Sequence, residues 1–405
     1  MRRVVITGCG VVSAAGNELE RFWDALMSGA CFIKPLRRFS APDADELLGA
    51  EVELPPEDRL PAAVDTDANR ARCLELSLAG ARRAVRDAGL DAAATDPARI
   101  GVVFGSTIAE ERQVGDLNAR AREHGSAAVD AGFFRRCNNQ RIAAVIAAQH
   151  GTAGPALAAL TACSSGNTAI ALGYDLIAAG EVDAVIAGGA DTFTRLIYCG
   201  FQRMNALSKS VCRPFDTQRD GVSFGEGAGA VVLEDLEHAR RRGAHIHAEL
   251  SGYGISNDAH HVTAPGPNGE GFVRAIHQAL ATSSTALDEV DYVSAHGTGT
   301  PYNELGECQA MQAVFGERAP KVPISSIKSM IGHTNGAAAA IEAVTCVLAI
   351  KHQAVPPTAN LEQPEPGFDL DYVPGKGRSS KVDTCLSLAA GFGGFNACLV
   401  LKRLT

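Results

Sequence analysis

The sequence predicts a layered α/β fold. Apolar strand-like runs alternate with Ala-rich helical stretches along the whole chain, which argues for helices packed on a sheet. The 405 residues are 46% hydrophobic and 20% charged, an ordinary composition for folded domains that excludes disorder. Glycine is plentiful, at 42 residues, and suits close helix–sheet contact. The length allows about two or three domains of ordinary size.

In chain order, Val4–Thr7 reads as a strand and Glu18–Met27 as an amphipathic helix. Residues 34–66 are rich in Pro and acid and read as an irregular insertion. A helical period runs over Arg70–Ala88 and stops at Gly89, a normal residue just past a helix end. Ile100–Phe104 and Ala156–Ala162 are strands, and Thr168–Ala179 is a helix stopped by Gly180. Val182–Ala187 is a strand ending at Gly188-Gly189. Ala228–Glu234 and His245–Tyr253 are strands joined by a basic HARRRG turn. Gly271–Leu280 is a helix, and Tyr292–Ala295 and Ile324–Ser326 are strands. Ala337–Ile350 is a helix, and the strands Cys385–Ala389 and Ala397–Leu401 close the pattern. The two halves resemble each other: each has a strand, a Gly-containing turn, then an Ala-rich helix carrying a reactive residue. The expected division is 1–245 and 246–405, packed as one unit.

Charge and cysteine usage narrow the partners. Net charge is 37 − 46 = −9, which argues against nucleic acid or an anionic membrane as the main partner. No uncharged apolar run reaches the length of a membrane-spanning helix; Gly332–Ile350 comes nearest and is interrupted by Glu342. The 11 cysteines are scattered, with no CxxC pair. The chain opens directly on a strand-like run, MRRVVITG. Reduced thiols and a cytoplasmic location are therefore expected.

Two Gly-rich stretches invite a nucleotide reading. Gly8-Cys9-Gly10-Val11-Val12-Ser13 follows a strand, as the dinucleotide fingerprint does. However, the third Gly is missing, and Arg37-Arg38 stand where an acidic residue is needed about twenty residues on. The plain reading is a tight strand-to-loop turn. Gly225-Glu226-Gly227-Ala228-Gly229 leads into a strand rather than a helix and reads as a close-packed turn.

Three stretches carry chemistry. Thr161-Ala162-Cys163-Ser164-Ser165-Gly166 lies between a strand and a helix, where backbone N–H groups and the helix dipole favour a thiolate. An arbitrary cysteine is usually an inert core thiol; the small residues and the helix start favour a nucleophile here. Ser294-Ala295-His296-Gly297-Thr298-Gly299-Thr300-Pro301 and Ser326-Ile327-Lys328-Ser329-Met330-Ile331-Gly332-His333 each follow a strand and carry one His among Gly and small polar residues. One such His is more often structural. Two of them with a helix-start Cys suit acyl-thioester chemistry. The other histidines lack such context, and clustered metal-ligand spacing is absent, so no metal and no cofactor are expected.

The segments TACSSG, SAHGTGTP, SIKSMIGH and the C-terminal GFGGFN, in that order, resemble the β-ketoacyl synthases, condensing enzymes of the thiolase superfamily. The resemblance covers essentially the whole chain. It implies a thiolase fold, with two pseudo-repeated halves in five α-β-α-β-α layers. It also implies a dimer acting on acyl carrier protein thioesters.

Carried over motif by motif, the resemblance makes Cys163 the acylated nucleophile. His296 and His333 assist malonyl decarboxylation and stabilise the enolate. Lys328 supports the His pair, and Glu307 organises the site. The backbone N–H groups of Cys163 and Phe392 form an oxyanion hole. Phe392 also matches the gating aromatic, and Phe201 an aromatic near the acyl pocket. Thr263 matches a residue near the pantetheine arm, and Thr298, Thr300 and Phe395 complete the implied pocket and gate.

Departures from the family pattern point to the pathway. Phe395 stands where fatty-acid elongation enzymes typically have Thr, and Ala390 replaces a usual Phe before the gate. GFGGFN and the GADT run at 189–192 look closer to α ketosynthases of type II polyketide and polyene systems. Leu388 and Ala389 replace an Asn-Ser pair, and Ser294 an Asn, at positions that can hold a structural cation. Basic residues for carrier docking look thin, with Asn205 at one such place; Arg203, Lys209 and Arg213 are local candidates. The leading expectation is polyketide or polyene biosynthesis, as a homodimer or as a heterodimer with a chain-length-factor-like homologue. The alternatives are the fatty-acid elongation synthase II and a non-catalytic chain-length subunit. In that last class the nucleophile is usually replaced, whereas here Cys163 and both His are present. A coenzyme A-dependent thiolase would carry a second Cys near the C-terminal Gly-rich motif, and the nearest here is Cys385.

Overall fold

The computed structural model describes residues 1–39, 47–60, 71–92, 94–109, 111–128 and 138–404. Parts of the expected insertion (40–46 and 61–66), the expected helix start at Arg70 and Cys137 lie outside the described residues. Ten strands make one continuous sheet array. In chain order they are β1 (Val4–Val12), β2 (Ile100–Gly105), β3 (Ala156–Ala159), β4 (Ala184–Asp191), β5 (Gly227–Asp235), β6 (Ala248–Asn257), β7 (Tyr292–Ser294), β8 (Ile324–Ser325), β9 (Thr384–Gly391) and β10 (Phe395–Lys402).

The spatial order is β8-β7-β9-β10-β6-β1-β5-β4-β2-β3. Each half has the same connectivity. β3, β2 and β4 are parallel, with β5 and β1 added antiparallel. β8, β7 and β9 are likewise parallel, with β10 and β6 added antiparallel. The first strands of the two halves join them: Val4 pairs with Leu250 and Ile6 with Ala248. The internal duplication is therefore topological. In each half the third strand runs into a turn and then a central helix; Cys163 and His333 sit in those two turns, and His296 follows β7.

The central helices are Ser165–Ala178 and Ala338–His352, and both pack against strands of both halves. Every residue from Ala338 to Ile350 is buried, so this helix has no solvent face. A Cβ on Gly166 would lie 2.5 Å from the Ala340 nitrogen, so only glycine lets the two helices touch there. Arg72–Ala88 covers the outer face of the first half, and Glu270–Thr282 with Pro301–Phe315 covers the second. The result is five α-β-α-β-α layers, as expected.

Local expectations shift in places. Gly8 and Gly10 lie inside β1 rather than in a turn. A Cβ on either would come within 2.2 Å of a carbonyl oxygen of the Arg72–Ala88 helix, so these glycines serve strand–helix packing. β3 ends at Ala159, and the following helix begins at Ser165 after a one-turn 3-10 segment, Ala162–Ser164. β4 runs through Gly188-Gly189 to Asp191. Part of the basic HARRRG turn is helical, over Leu236–Arg241. Four further helices, Glu111–His124, Gln140–His150, Arg195–Arg203 and Pro301–Phe315, were not marked by the periodicity.

Candidate active site

Cys163 sits in the Ala162–Ser164 turn, half-buried, two residues before the start of the first central helix. Ala162 has φ +51, a left-handed conformation that is uncommon for a residue with a Cβ. Such a sharp strand-to-helix turn presents the thiol at the end of the sheet. His333 follows the short Lys328–Ile331 helix and Gly332, whose φ is +69. The His333 N–H donates to the Ser223 carbonyl at 2.7 Å, and its carbonyl accepts from the Gly225 N–H at 3.0 Å. The backbone thereby fixes where the ring stands, and its Nε2 lies 3.0 Å from Cys163 Sγ.

His296 is held by carboxylate bonds to its loop. Glu307 accepts from the His296 N–H at 2.6 Å and the Gly297 N–H at 2.9 Å. The next tooth of the same helix, Glu304, accepts from the Gly299 N–H at 2.9 Å, beside the Thr298–Thr300 hydroxyl pair, 3.0 Å apart. Ser326 Oγ donates to the Gly297 carbonyl at 2.6 Å. The two His rings are 5.7 Å apart and nearly perpendicular. Lys328 Nζ donates to the His296 carbonyl at 2.5 Å and to Glu342 Oε1, and this ion pair is almost wholly buried.

Burial sets the charge states. It pushes the Cys163 thiol up to about 12, with Lys328 pulling the other way and Asp191 adding to the rise. The thiolate expected from the helix start is therefore outweighed by desolvation at rest. Burial first, and then the Lys328 charge, hold both imidazoles well below their usual range, so His296 and His333 are neutral. Burial pushes Glu307 and Glu342 up to about 7. Glu342 escaped the sequence reading, which took it only as a break in an apolar run. A charged residue in an otherwise apolar helix was the signal available.

The remaining candidates fall around the mouth. Phe392 is 39% exposed and stacks on Phe201, ring centroids 5.5 Å apart and 10° from parallel. Phe201 in turn packs edge-on against Phe224, which stacks beside His333. Gly391 lies against Thr161 and Cys163: a Cβ there would be 3.1 Å from the Cys163 nitrogen. The Gly391 backbone therefore runs close beside the Cys163 turn. Phe395 packs its ring on Gly393 of the same turn. Thr263 is exposed, next to Val262, whose carbonyl accepts from the Gly393 N–H at 2.7 Å. Arg203 and Lys209 are exposed, whereas Arg213 is half-buried and paired with Glu362 at 2.9 Å.

Cys9, Cys31, Cys199, Cys212, Cys308, Cys346, Cys385 and Cys398 are free thiols, as is Cys163. Leu388 and Ala389 are buried and bring no side-chain oxygen to the neighbourhood of buried Ser294. Among the described residues no helix is long and apolar enough to cross a membrane.

The site can hold a thioester and place two neutral imidazole N–H donors beside it. Comparison with known proteins agrees with that chemistry. Residues 1–239 match the family model "Beta-ketoacyl synthase, N-terminal domain", and residues 247–362 match "Beta-ketoacyl synthase, C-terminal domain". The chain is 40% identical to 3-oxoacyl-[acyl-carrier-protein] synthase 2 of Coxiella burnetii, over 100% of this chain and 99% of that protein. It is 38% identical to the tetracenomycin polyketide synthase ketoacyl synthase alpha subunit of Streptomyces glaucescens, over 99% of this chain and 97% of that protein. The solved ishigamide ketosynthase/chain length factor superposes with a TM-score of 0.93 at 37% identity, covering 100% of both chains.

Proposed function

The chain belongs to the β-ketoacyl synthase family, and from that premise we propose that it joins an acyl group on Cys163 to a malonyl unit carried by acyl carrier protein. The observation that carries this reading is the 3.0 Å approach of His333 Nε2 to Cys163 Sγ, with the neutral His296 ring beside it.

In the first step the Cys163 sulfur attacks the carbonyl of an acyl-carrier thioester. The thiol proton passes to the departing carrier thiol, so one proton is exchanged for one acyl group. The Cys163 and Phe392 N–H groups steady the tetrahedral oxyanion in this reading. In the second step the malonyl-carrier loses CO2. The electron pair left behind forms an enolate, whose oxygen accepts from Nε2–H of His296 and His333. The enolate carbon attacks the Cys163 thioester, the C–S bond breaks, and a 3-oxoacyl-carrier leaves while the sulfur takes up a proton from water. Buried neutral imidazoles suit this step because they donate without first carrying charge. The Lys328–Glu342 pair and Glu307 hold the His296 loop in place. Phe201, Phe392, Phe395 and the threonines 263, 298 and 300 line the route of the arm and acyl chain.

Polyketide or polyene assembly is the pathway this reading favours. Support comes from Phe395, the GADT run and the full-length likeness to a ketosynthase/chain length factor structure. The same likeness supports a homologous chain-length partner. The free thiols support a cytoplasmic setting. The deciding experiment is intact-mass analysis after incubation with a panel of acyl-carrier proteins, followed by malonyl-carrier. An adduct on Cys163 and a 3-oxoacyl product are expected. Absence of any adduct across the panel would overturn the assignment. Repeated extension of saturated acyl groups by the lone chain would assign it to fatty-acid elongation instead.

A further inference from the structure

Residues 297–300, which carry Thr298 and Thr300, form neither helix nor strand. Gly297 and Gly299 have φ +35 and +88, so the stretch bends sharply on both sides of Thr298. A loop of the other half, residues 216–221, holds that bend. Three consecutive carbonyls accept from it: Gly299 from the Gly221 N–H at 3.0 Å, Thr300 from Arg219 Nε at 3.3 Å, and Pro301 from Arg219 Nη2 at 2.9 Å. A Cβ on Gly299 would fall 2.7 Å from the Gly221 carbonyl oxygen, so the two loops meet backbone to backbone.

The Arg219 side chain is itself fixed and only 8% exposed. Nη1 donates to the Asp216 carbonyl at 2.9 Å and to Glu365, and Nε stands 3.5 Å from Glu304 Oε2. The other oxygen of buried Glu304 accepts from the Gly299 N–H at 2.9 Å. Gly299 is thus gripped at its N–H by Glu304 and at its carbonyl by Gly221, with Arg219 joining the two grips. A planar guanidinium can serve two neighbouring carbonyls and two carboxylates at once, which a lysine ammonium cannot. Among the described residues the Thr300 hydroxyl meets only the Thr298 hydroxyl, at 3.0 Å. Such a pair still has a donor and an acceptor to offer a third group. His296 is held separately, by Glu307 and Lys328.

We infer that Arg219 is a positioning residue for the carrier's thioester arm, acting through Thr298 and Thr300. The arm carries amide groups that need hydrogen-bond partners when they leave water. Arg219 and Gly221 occupy the carbonyls of residues 299–301, so those carbonyls do not compete for the two hydroxyls, and the bend that sets the hydroxyls side by side is kept. The inference rests on the condensing-enzyme reading above, in which these threonines line the arm's route, and adds the group that sets arm affinity. Because His296 has its own supports, loss of Arg219 weakens arm binding and spares the chemistry of the bound thioester.

The test is acylation of Cys163 by acetyl-pantetheine, a probe that has the arm without the carrier, followed by mass against probe concentration. For Arg219→Lys the half-saturating concentration is expected to rise about tenfold, the worth of one good hydrogen bond, with the maximal rate within about twofold of wild type. Thr300→Ala is expected to raise it similarly. The Arg219→Lys, Thr300→Ala double variant is expected to lose less than the two single losses combined, since one residue acts through the other. Iodoacetamide, which lacks the arm, is expected to alkylate Cys163 of the Arg219→Lys protein at the wild-type rate, read on the peptide that contains it. If Arg219→Lys does not fold, Glu365→Gln takes its place in the acylation and alkylation assays: it frees one side of the guanidinium from a carboxylate that is 23% exposed, and about a threefold rise is expected. An unchanged half-saturating concentration, a fall in maximal rate alone, additive losses in the double variant, or slowed alkylation would each overturn the inference. Adduct formation by the wild type reports on the nucleophile reading, and the ratio of variant to wild type reports on Arg219, so the two are judged separately.

Discussion

His333 Nε2 stands 3.0 Å from Cys163 Sγ across 170 residues of chain. The two residues occupy equivalent places in the two halves, each in the turn between a third strand and a central helix. Packing of those helices through Gly166 and Ala340 sets the distance. The site is thus the product of the duplication itself.

Cys163→Ala is expected to abolish acyl-adduct formation and condensation while leaving thermal stability near that of the wild type, because a small side chain replaces a small one. Malonyl decarboxylation should persist, since it depends on the histidines. Intact mass and CO2 release read the two steps separately, and condensation retained in this variant would refute the nucleophile assignment.

Loss of one positioned donor to a developing oxyanion typically costs about 10²–10³-fold in rate. His296→Ala and His333→Ala should each lose decarboxylation on that order. Both imidazoles are held well below their usual range by burial, and so stay neutral as the pH falls. Decarboxylation by the Cys163→Ala protein should therefore stay flat from pH 8 down through about 6.5, the ordinary histidine value. A decline centred there would show a freely titrating histidine.

Lys328 and Glu342 form a buried pair, and breaking such a pair from one side costs about 3–5 kcal/mol. Lys328→Met should show that loss in urea melts. Burial raises Glu342 above its unfolded value, so its contribution is fully present at low pH and lost as pH rises through about 7. Without Lys328 that loss extends to higher pH, so the deficit should grow between pH 6 and pH 9. Adding Glu342→Gln should recover part of the stability and remove the pH trend. A pH-independent deficit would contradict the pairing.

β3 is an edge strand, and Leu157 and Leu160 near it are 39% and 54% exposed. An open apolar edge beside the nucleophile turn calls for a partner chain. The purified protein should sediment as a dimer, and the Leu157→Lys, Leu160→Lys double variant as a monomer. Efficient malonyl-dependent elongation should require a chain-length-factor-like homologue. Full multi-cycle elongation by the lone chain would count against the heterodimer.

The one-dimensional pattern determined the α/β class, the duplicated halves and the reactive trio Cys163, His296 and His333, because small residues and glycines around a Cys or His at a strand end are visible in a linear string. It could not show how the halves interlock. Gly8 and Gly10 looked like a turn and prove to be strand residues pressed against a helix, since the string does not reveal what packs on a glycine. The thiol looked poised for ionisation at a helix start, and tertiary burial reversed that balance. Glu342 and Asp191 looked like isolated acids; only the folded chain brings Lys328 to one and five neutral donors to the other. Local periodicity and turn chemistry are written in neighbouring residues, whereas desolvation and long-range pairing exist only once distant segments exclude water together.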